Sequence, residues 1–267
     1  MQSGTTGKEM NQCAPPRKMA VAAAEDDAVL SAVSTAYQRG LVTPVLCGSG
    51  IKIKEFADRL QLDIAAFEII HCETAREAVG AAVSLVREDR CGILMKGNVQ
   101  TADLLRAVLD KEKGLRNGSI LSHVSILDSP VLNRRFLLTD AAMVTYPDLG
   151  RKAELINNAV KAARGLGIET PKVAVLAAVE VVNPDMPATL DAAALTVMNR
   201  RGQLAGCIVD GPLAMDMALS EEAARHKNVA SQVAGHADIL LVPNIDAGNM
   251  VLKTFTHGGN CLFGGLV

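Results

Sequence analysis

The stretch from Met19 to Cys47 reads MAVAAAEDDAVLSAVSTAYQRGLVTPVLC. It opens with a continuous apolar run, Met19–Ala24. A segment with apolar residues at Val29, Val33 and Ala36 follows, ending at Gly40, and a second apolar run covers Val42–Cys47. The first and last parts do not alternate polar with apolar, so they predict strands covered on both faces. The middle has helical spacing from Asp26 to Arg39. Strand, helix, strand in this form is the unit of a parallel sheet with crossover helices.

The same alternation continues outward. Helical spacing is predicted over Glu55–Leu62, then a strand over Phe67–Ile70. A helix over Thr74–Val86 opens with Thr74 and Glu77 at capping-box spacing, where Thr accepts from an orphan amide and Glu reaches back to the cap. A strand over Cys91–Met95 and a helix over Thr101–Leu109 complete this half. Ser119–Leu127 and Arg135–Thr139 then predict two consecutive strands joined by a turn around Pro130 and Asn133, and the domain change is placed there. Beyond it come helices at Ala153–Arg164, Ala188–Met198, Leu213–Arg225 and Ala247–Phe255. Strands are predicted at Lys172–Val179, Gly206–Val209 and Asp238–Val242. The expected architecture is two doubly wound α/β/α domains with mostly parallel sheets. A disordered leader is expected over 1–18, an N-terminal domain over 19–116 and a second domain over 117–267.

Composition narrows the function. Lys and Arg number 27 against 29 acidic residues, a net charge of −2, which excludes a generic polyanion-binding surface. Only seven aromatic residues (two Tyr, five Phe, no Trp) leave no stacking platform for bases. The six cysteines, at 13, 47, 72, 91, 207 and 261, form no CxxC pair, so neither a zinc site nor a disulfide framework is expected. Reduced thiols point to a cytoplasmic setting. The start of the chain lacks the apolar core of a signal peptide. The longest apolar stretch, Val173–Val182, is broken by Glu180 and is too short to span a bilayer.

In doubly wound sheets, ligands bind beyond the carboxyl ends of strands. Five such segments stand out. Gly48-Ser49-Gly50 matches neither dinucleotide nor P-loop spacing and predicts a tight turn. Met95-Lys96-Gly97-Asn98-Val99-Gln100-Thr101 ends a strand in a cation, a glycine and amides before a helix N-terminus. Arg106 lies one turn further on, where a guanidinium can grip an anion; the competing account is a surface arginine with a capping threonine. Asn183-Pro184-Asp185-Met186-Pro187-Ala188-Thr189 predicts a rigid connector with a helix cap. Asp210 in Val209-Asp210-Gly211-Pro212 is a carboxylate at a strand end, either a base or a helix cap. Val242-Pro243-Asn244-Ile245-Asp246-Ala247-Gly248-Asn249, followed by Lys253, offers two amides beside a glycine where backbone can approach a ligand, or a polar loop at a helix start. The histidines are scattered, and no G-x-S-x-G elbow exists to support a serine hydrolase.

Taken together, LMKGNVQTADLLRAVLDKEKGLR, KVAVLAAVEVVNPDMPATLDAAAL, GCIVDGPLAMD and ADILLVPNIDAGNM resemble the phosphate acetyl/butyryltransferase family, on its butyryl side, from about Met19 to Val267. The resemblance implies the two-domain fold of the isocitrate/isopropylmalate dehydrogenase group. It implies a cytoplasmic homo-oligomer, a homodimer or larger, acting on acyl-CoA and inorganic phosphate without nucleic acid, membrane, metal or prosthetic cofactor. Coenzyme A is then substrate and product: butyryl-CoA plus phosphate gives butyryl phosphate plus CoA, by direct attack of phosphate in a cleft between domains. It assigns Arg106 to the phosphate side, with Gly97, Asn98 and Thr101 on the loop at its foot and Lys96 before them. It sets Ser122, Asn244, Gly248, Asn249 and Lys253 in blocks facing the cleft, with Arg106 and Ser122 as the catalytic candidates. The family continues past the block matching Ala237–Val267 into a further strand and a Ser-Arg-x-Asp segment with a phosphate-binding arginine, its serine and, in some members, an aspartate base. This chain ends at Leu266-Val267. The expectation that follows is little transferase activity and an open sheet edge in the first domain, with a non-catalytic CoA- or acyl-phosphate-binding remnant as the alternative function. A nicotinamide dehydrogenase on a related fold ranks third, since the dinucleotide fingerprint is absent.

Overall fold

The computed structural model describes residues 16–116 and 118–267. The chain divides into two units, Met1–Gly118 and Ser119–Val267. The expected leader lies outside the described residues up to residue 15. Arg17 and Lys18, also assigned to it, instead begin the first strand and pair with Val42 and Thr43.

The first unit is a four-stranded sheet with every pair parallel. Its strands are β1 (Arg17–Ala22), β2 (Val42–Gly48), β3 (Glu68–His71) and β4 (Ile93–Lys96), in the order β3-β2-β1-β4. The helices are α1 (Asp27–Gln38), α2 (Gly50–Arg59), α3 (Ala75–Arg87) and α4 (Thr101–Val108). Alternate residues of β1 serve opposite faces. Met19 and Val21 pack with Leu30 and Val33 of α1 and Ile53 of α2. Ala20 and Ala22 pack with Ala78, Ala82 and Val83 of α3 and Leu104 of α4. Small side chains on both sides of that second contact let α3 lie close to the sheet. At the start of α3, Thr74 Oγ1 accepts from the Glu77 amide at 3.2 Å. The Glu77 carboxylate reaches one residue further back than the capping box predicts, to the Glu73 amide at 3.0 Å. The helix expected at Glu55 starts at Gly50, since Gly50-Ile51-Lys52-Ile53 places Ile53 on the buried face.

The second unit has a six-stranded mixed sheet in the order β10-β5-β6-β9-β7-β8. Its strands are β5 (Val124–Ser129), β6 (Arg134–Thr139), β7 (Lys172–Leu176), β8 (Ile208–Leu213), β9 (Ile239–Leu241) and β10 (Leu262–Leu266). β5 and β6 form an antiparallel hairpin, β10 joins β5 antiparallel, and β6, β9, β7 and β8 run parallel. The helices are α5 (Leu149–Gly165), α6 (Pro187–Arg200), α7 (Met215–Leu219), α8 (Glu221–His226) and α9 (Ile245–Lys253). One face buries Leu137, Val173, Val175, Ile239 and Leu241 under α5 and α6. The other buries Phe136, Leu138, Ala174, Leu176 and Leu240 under α7, α8 and α9.

Four expectations change here. The strand predicted over Lys172–Val179 stops at Leu176, and Val181 and Val182 are exposed loop residues. Residues 119–123 are not strand, so His123 precedes β5 instead of lying within it. The helix predicted over Leu213–Arg225 is two short helices, because Ser220 ends α7 and caps α8 through its bond to the Ala223 amide. Asp210 lies inside β8 and accepts from the Gly211 amide, so it caps no helix. The edge strand β10 was not anticipated; all five of its residues are exposed.

Candidate active site

The strand orders mark where a site can form. In the first unit the chain leaves β1 into α1 on one face and leaves its neighbour β4 into α4 on the other. In the second it leaves β7 into α6 on one face and its neighbour β9 into α9 on the other. Helices that depart to opposite faces from adjacent parallel strands leave a crevice at the carboxyl ends, the topological switch point.

At the β1/β4 switch point the two loops are stitched together. The Gly97 amide donates to the Ala22 carbonyl at 2.8 Å and the Asn98 amide to the Ala23 carbonyl at 2.7 Å. Gly97 is required by this approach: a Cβ there would sit 2.1 Å from the Ala23 oxygen and 2.5 Å from the Ala22 oxygen. Lys96 folds back over the loop, its Nζ donating to the carbonyls of Val99 (2.9 Å) and Gly97 (3.2 Å). Asn98 and Thr101 are exposed. Gln100, not Thr101, occupies the cap position of α4, and it makes no side-chain cap bond. Nearby, Glu25 Oε2 is enclosed without a hydrogen-bond partner among the described residues, and it packs where a side chain at Gly48 would stand.

Arg106 is exposed, with a side chain 76% accessible and an ion pair to Asp103 at 2.7 Å. It lines a crevice of about 780 Å³ between α3 and α4, together with Arg76, Asp103, Asp110 and Lys113. Asp110 is held below the usual carboxylate range by the backbone amides of Lys113 and Glu112.

At the β7/β9 switch point lies a cavity of about 670 Å³. Leu176–Ala178 after β7, Met186–Ala188 at the head of α6, Met215, and Val242–Asn244 after β9 line it, with Ala247 and Val251 of α9. Its walls are largely apolar. Four polar side chains line it, Asn244, Tyr146, Lys152 and Asp191, and each makes at least one hydrogen bond. Asn244 Oδ1 accepts from the Ala247 amide and caps α9, and the Tyr146 hydroxyl donates to Asp246 Oδ2 at 2.6 Å. That carboxylate pushes the Tyr146 phenol up from its ordinary value. The third is Lys152, whose side chain is 6% accessible and whose Nζ donates to Asp191 Oδ2 at 2.6 Å.

The remaining expected residues fall elsewhere in this unit. Ser122 is buried, accepts from Asn158 Nδ2 at 2.9 Å and lines neither cavity. Gly248 is buried against the end of β6, where a Cβ would meet the Asp140 carbonyl at 2.7 Å. Asn249 Nδ2 donates to the Ala141 carbonyl at 3.3 Å. Lys253 is exposed at the end of α9. The structure thus brings Asn244 into the cavity, sets Gly248 and Asn249 against the β6 terminus, and keeps Ser122 in the packing. Asp140 organises that terminus, accepting from the amides of His123, Ala142 and Met143. Burial lowers the pKa of His123, and Asp140 opposes it. Sequence reasoning passed over Lys152 and Asp191. The available signal was a lysine on the buried stripe of α5, in line with Ile156, Ala159 and Ala163. Among the described residues, no three His, Cys, Asp or Glu side chains gather as a metal-binding group, and no helix is long and apolar enough to cross a membrane.

The loop Asn183–Thr189 is the expected rigid connector: Asn183 Oδ1 accepts from the Asp185 amide, and Thr189 Oγ1 bonds both the amide and the carbonyl of Asn183. Gly48-Ser49-Gly50 is a tight turn, with the Gly50 amide donating to His71 Nδ1 at 3.1 Å.

Comparison with known proteins follows the same lines. A family model described as phosphate acetyl/butaryl transferase matches residues 8–79 and 73–267. The chain is 48% identical to a phosphate butyryltransferase of Clostridium acetobutylicum over 251 residues, 94% of this chain and 83% of that one. It is 44% identical to a phosphate acetyltransferase of Thermotoga maritima over 237 residues, 89% and 80% of the two chains. The crystal structure of a branched-chain phosphotransacylase from Enterococcus faecalis superposes with a TM-score of 0.82 at 33% identity, covering 93% of this chain and 87% of that one.

Proposed function

Because the chain belongs to the phosphate acetyl/butyryl transferase family, we propose that it exchanges coenzyme A and phosphate on a short-chain acyl group, as in butyryl-CoA plus phosphate giving butyryl phosphate plus CoA. One observation carries this reading. The 48% identity to a phosphate butyryltransferase runs over 94% of the chain, so it takes in both units. The non-catalytic alternative is not favoured, since the relatives over that length are named for the transfer itself.

The chemistry asks for placement more than for a nucleophilic side chain. A phosphate oxygen attacks the thioester carbonyl and the CoA thiolate departs; thiols have a pKa of about 8.5, so the leaving group needs little acid help. Holding two anionic reactants in line and stabilising charge then supplies most of the rate. We assign phosphate to the first unit, with Arg106 as its guanidinium and the Lys96–Thr101 loop beside it, and the acyl-CoA to the second. Coenzyme A enters as substrate and product, and the proposal includes no metal or prosthetic group. It also includes a cytoplasmic setting and assembly with further copies of the same chain, without nucleic acid or membrane. The buried free thiols at 47, 72, 91, 207 and 261 support the setting; light scattering tests the assembly.

The deciding experiment follows thiol release from butyryl-CoA with and without phosphate and traps the product with hydroxylamine. Phosphate-dependent release with one equivalent of hydroxamate is expected. CoA binding without phosphate-dependent release would leave only a binding protein.

A further inference from the structure

The β7/β9 cavity is larger than a butyryl group needs. At about 670 Å³ it equals roughly twenty-two water volumes of ~30 Å³ each, where a four-carbon acyl group fills only a handful. Its chemistry is also uneven. Leu176, Met186, Met215, Val242 and Val251 present hydrocarbon, yet the ammonium of Lys152 is buried among them. An ammonium carries three donors. Asp191 accepts one, and the other two have no protein acceptor among the described residues. A buried ion pair in apolar surroundings is a poor source of stability compared with hydrocarbon of equal volume. Two spare donors on a buried cation therefore point to an oxygen acceptor on a ligand. The Tyr146 hydroxyl already donates to Asp246 and Asn244 Oδ1 already accepts at the α9 cap, so Lys152 is the charged donor in the lining that can meet it, with the Asn244 side-chain N–H as a neutral neighbour.

An acyl thioester has this composition: one hydrocarbon chain and one carbonyl oxygen. We propose that the β7/β9 cavity is the acyl-thioester pocket, that Lys152, oriented by Asp191, donates to the thioester carbonyl, and that the pocket takes chains longer or more branched than butyryl. This rests on the transferase reading above. In the step itself, a phosphate oxygen forms a bond to the carbonyl carbon and the carbonyl electron pair moves onto its oxygen, beside the Lys152 ammonium. The pair returns as the C–S bond breaks, and CoA leaves as thiolate. Nothing is oxidised or reduced, and the ammonium keeps its protons throughout.

The test titrates CoA, acetyl-CoA, butyryl-CoA, isovaleryl-CoA and hexanoyl-CoA into the full chain by calorimetry, and measures phosphate-dependent thiol release from each. Each added methylene tightens binding about fourfold, so hexanoyl-CoA binds on the order of 250-fold tighter than acetyl-CoA. Ala188→Phe at the head of α6 and Ala178→Phe after β7 each collapse that ratio toward unity; two positions on separate walls guard against one variant misfolding. Lys152→Met, close in length and able to pack, keeps the ratio but lowers kcat for every acyl-CoA by about a hundredfold or more, as loss of an oxyanion donor does. If CoA binds but acyl length makes no difference, or the phenylalanine variants keep the native ratio, the pocket is elsewhere. A Lys152→Met chain with native kcat removes the lysine's role. If no CoA compound binds and no thiol is released, the transferase reading falls first and takes this inference with it.

Discussion

Replacing Gly97 by alanine tests how the first unit holds its loop. The added Cβ would stand 2.1 and 2.5 Å from two carbonyl oxygens and 2.8 Å from the Ala23 carbonyl carbon. All three are backbone atoms at the end of β1, which is buried on both faces, so no side chain can swing aside. The β4–α4 loop must move out instead, and the bonds from the Gly97 and Asn98 amides to Ala22 and Ala23 stretch or break. Overpacking of this kind costs about 1–3 kcal/mol, and each lost hydrogen bond adds about 1 kcal/mol. The expected total is about 3–5 kcal/mol on the first unit. With a urea slope of about 1.5 kcal/mol/M for a domain of this size, its midpoint falls by roughly 2–3 M. Gly40→Ala is the control. Gly40 has φ +68° with open space around it, so it pays only for the left-handed backbone, about 1 kcal/mol. Urea titration followed by circular dichroism, with limited proteolysis to separate the units, reads both. A Gly97→Ala midpoint within 0.5 M of native, on the same slope, would falsify the close approach of the two loops.

Four further outcomes follow from the site. Ser122→Ala is expected to lower stability by about 1 kcal/mol through the lost bond to Asn158, with kcat for butyryl-CoA unchanged; a drop of a hundredfold or more would restore Ser122 as a catalytic group. Arg106→Gln is expected to leave the melting temperature nearly untouched, because its pair with Asp103 is exposed, while raising KM for phosphate about tenfold or more; an unchanged phosphate KM would move the anion site away from α4. Burial lowers the His123 pKa in the folded state. The unfolded chain therefore binds that proton more readily, and the second unit is expected to lose stability as pH falls below about 6.5; His123→Gln should flatten this part of the stability–pH curve, and a parallel curve would refute the assignment. Burial pushes the Cys47 thiol up to about 12 and raises Cys72, Cys91 and Cys207 as well. Less thiolate at these four, and burial of all five thiols at 47, 72, 91, 207 and 261, mean that a Cys13→Ser chain at pH 8 should react with Ellman's reagent only on unfolding; prompt labelling would contradict their burial.

The alternation of apolar runs with helical spacing was legible because it is a local property. Val21 or Val45 in an unbroken apolar run signals cover on both faces without naming the neighbour, and Thr74 with Glu77 marks a helix start from a spacing of three. Element ends were less legible. Lys172–Val179 reads as one strand within the apolar stretch Val173–Val182, but hydrophobicity alone does not show that pairing with β8 and β9 ends at Leu176 and leaves Val181 and Val182 exposed. Ser122 fared the same way. In sequence it is a polar residue beside a histidine; in the fold it is committed to an asparagine 36 positions away.

What the sequence determined by itself was the class of architecture, the alternation of strands and helices and the family to which the blocks belong, since each follows from residues near one another along the chain. Which loops meet was decided only by strand order. β9 lies between β6 and β7, and β4 lies beside β1; those placements join Ala22 to Gly97 and set the 670 Å³ cavity between the loops after β7 and β9. Lys152 and Asp191, 39 residues apart, become one ion pair there. Local propensity carries no information about such a meeting, because it depends on which helix each strand sends to which face of the sheet.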